Sequence, residues 1–97
     1  ASGETPMLVE HAAKAKKVGA AIMLITTSEA SSLAVLSDSM ITIDASSKTT
    51  RSDASVQPMG SLFEQSTAIL LDIIVLCLME KHGISSDDMY RNHSNLE

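Results

Sequence analysis

The sequence predicts an α/β fold built on parallel strands. Three observations carry that reading. A turn of the phosphate-cradling kind, Ala1-Ser2-Gly3-Glu4-Thr5-Pro6, runs straight into a helix, and such a turn ordinarily follows a β-strand. Two short apolar runs have the pattern of strands buried in parallel sheets. Helical segments alternate with them in the order helix, strand, helix, strand. Because the chain opens at the turn, residues 1–97 read as the C-terminal portion of one larger domain, with the N-terminal half absent.

The first helix is expected over 6–18. Thr5 suits the N-cap and Pro6 the first helical position. Leu8, Val9, Ala12, Ala13 and Ala15 mark a modest apolar face. Lys14, Lys16 and Lys17 crowd the last turns, where cations suit the helix dipole, and Gly19 is a natural stop. Residues 20–26 form the first apolar run. Ser31 or Ser32 then caps a short helix over 33–37, and 40–43 is the second strand.

Residues 44–59 show no periodicity and are rich in Ser and Thr. A long connection of this kind is either a solvated surface loop or a lid carrying substrate contacts, for which Lys48 and Arg51 are the basic candidates. The longest helix is expected over 60–82. From 68 to 79 only Asp72 interrupts its apolar residues. That stretch is shorter than the roughly 20 residues a bilayer crossing needs. A helix apolar nearly all round should pack on the sheet and against another subunit. Gly83 ends it, and Ser85 or Ser86, with Asp87 and Asp88, opens a last short helix reaching about Asn92.

Bulk composition narrows the functional classes. The chain is 44% hydrophobic but only 2% aromatic, so its core must come from aliphatic residues and six Met. A net charge of −5 argues against nucleic acid and anionic membrane surfaces as partners. The one cysteine, Cys77, sits in an apolar run and permits no disulfide framework within the chain, which fits a reducing, cytoplasmic setting. No His, Cys, Asp or Glu spacing resembles a metal site.

Three groups of residues are able to carry chemistry. The turn Ser2, Gly3, Glu4, Thr5 offers hydroxyls, backbone N–H groups and a helix dipole to a phosphate monoester; equally, it is an ordinary helix start. Ser61 and Glu64 have capping-box spacing, in which Glu64 reaches back to the Ser61 amide. Alternatively, Glu64 is a general base at the rim of the site. His93, near the chain end and outside the apolar pattern, reads from its position as a solvated residue.

Three segments together resemble one family. Ser2-Gly3-Glu4-Thr5-Pro6, then Gln57-Pro58-Met59-Gly60-Ser61-Leu62-Phe63-Glu64-Gln65, then His93-Ser94-Asn95-Leu96-Glu97 are similar to the 6-phospho-3-hexuloisomerase family of the SIS (sugar isomerase) superfamily. The likeness runs over essentially the whole chain. The first segment is common to many SIS domains, and the second is more specific to this branch. Asn92 and Ser94 depart from the basic residue and the Ala usual in the family's tail.

The resemblance implies a SIS-type, five-stranded parallel sheet flanked by helices, with the last two strands in this chain. It implies interconversion of 3-hexulose 6-phosphate and fructose 6-phosphate through an enediol, without a cofactor. It assigns the phosphate to Ser2, Gly3, Glu4 and Thr5, the base to Glu64, and a partner-acid or ring-opening role to His93. It also implies a homo-oligomer, a tetramer in the parent protein. The alternative is a non-catalytic SIS module that senses a sugar phosphate, which would need the turn but not a base.

Overall fold

A computed structural model of the chain describes residues 1–45 and 55–93. Lys48 and Arg51 of the long connection, and 94–97 of the tail, lie outside the described residues. The chain divides into two compact units, Ala1–Thr67 and Ala68–Glu97.

In the first unit, helix α1 (Pro6–Lys17) is followed by β1 (Met23–Thr26), α2 (Ser32–Leu36) and β2 (Ser39–Thr42). The strands form a two-stranded parallel sheet in the register Met23↔Ser39 through Thr26↔Thr42. The α/β reading with parallel strands therefore stands. Helices α1 and α2 pack against each other.

The ends of α1 and the start of α2 are set by nearby residues, the start of β1 by a contact from farther along the chain. Pro6 opens α1, and Gly19 leaves it in the left-handed region at φ 80°. The first ladder pair is Met23, not a residue at 20. Immediately before it, Asp38 takes over Ile22: its carboxylate accepts the Ile22 N–H at 2.7 Å, and its own N–H donates to the Ile22 carbonyl at 2.8 Å. Lys16 donates to the other Asp38 oxygen at 2.6 Å, tying the end of α1 to the start of both strands. That lysine, followed by the Ile22 N–H, holds the Asp38 carboxyl below its ordinary range. Ser31 caps α2, its hydroxyl accepting the Ala34 N–H at 3.2 Å.

Helix α3 (Ser61–His82) begins in the first unit and ends in the second, where Gly83 terminates it at φ 62°. Helix α4 (Ser86–Arg91) follows with a complete Ser85–Asp88 capping box, and Arg91 pairs with the same aspartate. The Ser85 hydroxyl, then its N–H, lowers the Asp88 carboxyl from its usual range.

Within the single chain, α3 lacks the burial expected of a helix apolar nearly all round. No residue of α3 is buried, and Ile69 and Leu76 are 61% and 63% exposed. At 22 residues the whole helix is long and apolar enough to cross a membrane by length and composition, which the 68–79 stretch alone is not. Among the described residues no apolar side chain is buried at all. The buried positions among the described residues are Gly3, Thr26, Ser31 and Gly60, three of which frame the N-terminal turn.

Candidate functional site

The turn is assembled from parts far apart in sequence. The Ala1 carbonyl accepts from the Thr26 hydroxyl at 2.7 Å, the Thr27 N–H at 3.0 Å and the Thr27 hydroxyl at 3.3 Å. The turn is thus fastened to the carboxyl end of β1. That is the edge of a parallel sheet at which α/β folds bind their ligands. The Gly3 carbonyl accepts the Leu33 N–H at 3.1 Å. Gly3 itself has φ 73°, in the left-handed region where glycine is favoured.

Glu4 makes the third attachment. Its carboxylate accepts the Ser32 N–H at 2.8 Å through one oxygen and the Ser32 hydroxyl at 2.7 Å through the other. The Ser32 hydroxyl, then the Ser32 N–H, pulls the Glu4 carboxyl below its ordinary value, against a smaller opposing effect of desolvation. Glu4 is therefore a carboxylate at neutral pH. Its backbone N–H faces the Ser2 hydroxyl at 3.4 Å, a long contact.

What the turn leaves open is as definite as what it uses. Thr5 stands at the N-cap of α1, yet its hydroxyl makes no capping hydrogen bond. The first backbone bond of α1 runs from the Val9 N–H to the Thr5 carbonyl at 3.1 Å. The N–H groups of Met7 and Leu8, ahead of that bond, have no acceptor among the described residues. Unfilled donors at a helix start, beside a free hydroxyl, suit an anion.

Glu64 lies on the first turns of α3. The capping box that its spacing suggests does not form. Gly60 is the residue whose carbonyl accepts the Glu64 N–H, at 3.0 Å, so the helix starts one residue earlier than a Ser61 cap requires. The Ser61 N–H and hydroxyl instead donate to the Pro58 carbonyl at 3.2 and 2.8 Å. Met59, at φ 54° in the left-handed region, makes the bend that permits this. The Glu64 carboxylate is left exposed and without a hydrogen-bond partner among the described residues. One of its oxygens passes close to Gly60, where an added Cβ would meet it at 3.8 Å. Nearby, Gln57 donates to the Gln65 side-chain oxygen at 2.8 Å, linking the two ends of the segment.

The structure brings Ser2, Gly3, Glu4 and Thr5 together with 26–33. Glu64 is in the same unit, but no hydrogen bond joins it to the turn among the described residues. His93 belongs to the second unit, where it is exposed and its backbone N–H donates to the Tyr90 carbonyl at 3.1 Å. Among the described residues no group of three or more His, Cys, Asp or Glu is arranged to hold a metal ion.

Sequence reading missed the 26–33 segment as part of this arrangement. The clue available was the density of Thr and Ser after an apolar strand, at the sheet edge where ligands bind.

No protein-family model matches the chain. Individual proteins do. The chain is 41% identical over 98 residues to the 3-hexulose-6-phosphate isomerase of Bacillus subtilis (strain 168), covering 99% of this chain and 53% of that protein. It is similar throughout to 3-hexulose-6-phosphate isomerases. The protein of that name from Mycobacterium gastri is 37% identical over 97 residues, covering 99% of this chain and 49% of the relative. The one from Methylomonas aminofaciens is 31% identical over 96 residues, covering 99% and 53%. The chain spans about half the length of these relatives. The resemblance to that isomerase family thus extends over 99% of this chain, at 31–41% identity.

Proposed function

We propose that this chain supplies the phosphate anchor and the proton-transferring base of an isomerase that interconverts 3-hexulose 6-phosphate and fructose 6-phosphate. The observation that carries the reading is the similarity over 99% of the chain to proteins named for that reaction. Two features of the site agree with it. The start of α1 has open N–H donors and an uncommitted Thr5 hydroxyl, and the Glu64 carboxylate is not consumed by a cap.

In this reading the 2–5 turn and the α1 N-terminus hold the phosphate, away from the reacting carbons. Binding energy from the phosphate then orients the far end of the sugar. Glu64 removes the proton from the second carbon of the hexulose. An enediol forms between the second and third carbons, and the same carboxyl group returns the proton to the third carbon. The hydroxyl proton moves from the second oxygen to the third, so the carbonyl ends on the second carbon. His93 assists as acid or in ring opening, presented to the site of a neighbouring subunit. Nothing in this sequence of steps needs a cofactor.

The chain forms, on this proposal, the C-terminal portion of a single SIS domain and carries the last two strands of its five-stranded parallel sheet. The protein is a cytoplasmic homotetramer.

The test is Glu64→Gln in the full-length isomerase bearing this chain. Turnover should fall by at least roughly a hundredfold. Binding of fructose 6-phosphate should remain. Stability should change by less than about 0.5 kcal/mol, because no capping box is lost. Turnover within a few fold of the parent would remove Glu64 from the mechanism.

A further inference from the structure

We infer that Glu4 does not touch the phosphate but is the positioning residue that shapes its cradle, through a two-point clamp on Ser32. This inference rests on the reading of the 2–5 turn as the phosphate anchor. Both Glu4 oxygens are spent on one residue, the Ser32 N–H at 2.8 Å and the Ser32 hydroxyl at 2.7 Å. Bidentate acceptance fixes the carboxylate in direction as well as distance. The clamp spans 28 positions in sequence and lies next to the bond from the Leu33 N–H to the Gly3 carbonyl. Together these bonds hold residues 3 and 4 against the first turn of α2, immediately before the open donors of α1.

A carboxylate is a poor neighbour for a phosphate. If charge alone mattered, Glu4 would weaken anion binding, and removing it would strengthen binding. A positioning role predicts the opposite sign, because an unclamped turn no longer presents the Thr5 hydroxyl and the α1 N–H groups in one place. The clamp needs geometry rather than charge. Gln in its place keeps an oxygen for the Ser32 N–H and offers its amide to the Ser32 hydroxyl as acceptor.

The experiment measures fructose 6-phosphate binding by titration calorimetry, with kcat and KM, on the full-length isomerase bearing this chain. Four variants are compared: Glu4→Ala, Glu4→Gln, Ser32→Ala and Thr5→Val. Glu4→Ala should weaken binding roughly tenfold to a hundredfold and raise KM, with kcat within a few fold of the parent. Glu4→Gln should bind within about threefold of the parent or better, and Ser32→Ala should fall between the two. Equal or tighter binding by Glu4→Ala, with binding lost in Thr5→Val, overturns the clamp and keeps the phosphate turn. Unchanged binding in both overturns the turn reading and the clamp with it. If Glu4→Ala does not fold, Ser32→Ala decides: weakened binding supports the clamp and parental binding overturns it.

Discussion

Gly3 lies directly against Ser31. A methyl group built on Gly3 would collide with the Ser31 hydroxyl and sit 2.6 Å from the Ser31 Cβ, and both residues are buried. The N-terminal turn and the cap of α2 are therefore one packed unit, with no room for a side chain between them. Gly3→Ala meets this collision and a left-handed backbone at once. We expect a loss of about 2–4 kcal/mol, with weakened sugar-phosphate binding. Ser31→Gly in that background should return part of the stability. Chemical denaturation of the two single variants and the double variant measures the coupling; strict additivity would show that the two sites do not meet.

Acid should loosen the fold through three carboxylates. Glu4, Asp38 and Asp88 are held below ordinary values of 4.5, 3.8 and 3.8 by Ser32, Lys16 and Ser85 respectively. Their charged forms are favoured in the folded state. The stability they contribute is present above the ordinary values and is lost as pH falls through the depressed ones. Denaturation midpoints should be level from pH 7 to about 5 and fall below about 4.5. Replacing Glu4 by Gln should make the fall shallower. An equally steep fall in that variant would take Glu4 out of the account.

Met59 sets where α3 begins. A side chain other than glycine at φ 54° is tolerated when unbranched and costs more when branched at Cβ. Met59→Gly should leave stability within about 1 kcal/mol of the parent, strain relief being offset by greater freedom of the unfolded chain. Met59→Val should cost about 1–2 kcal/mol. Equal midpoints for the two would indicate that the bend is not kept in solution.

The 97-residue chain by itself should associate and should not turn over 3-hexulose 6-phosphate. No apolar side chain is buried among the described residues, and α3 exposes Ile69, Leu71, Ile73 and Leu76. Apolar surface of that extent calls for cover. Sedimentation at roughly micromolar concentration should find copies of the chain joined together. A folded monomer there would remove the argument.

Much of this architecture was legible residue by residue. Pro6 and Gly19 bracket α1, and the starts of α2 and α4 are narrowed to Ser31 or Ser32 and to Ser85 or Ser86, because each signal acts within a few positions of itself; the structure selects Ser31 and Ser85. The apolar runs located both strands, though Asp38 displaces the start of β1 by claiming Ile22, 16 positions away. The Ser61–Glu64 spacing misled because the left-handed Met59 shifts the helix start by one residue, and spacing alone does not register that. The Glu4–Ser32 clamp left no periodic or motif signal. It depends on the fold bringing two helix starts together at one sheet edge.

The pairing of β1 with β2 along a single side has a consequence for proton traffic at the backbone. In a parallel ladder, alternate amides of a strand point to opposite sides. Among the described residues β1 is matched on one side only. In deuterated solvent its amides should then trade hydrogen at two alternating speeds. A further strand laid along the bare side would merge them into one slow class. Four residues would thus report whether the sheet is finished.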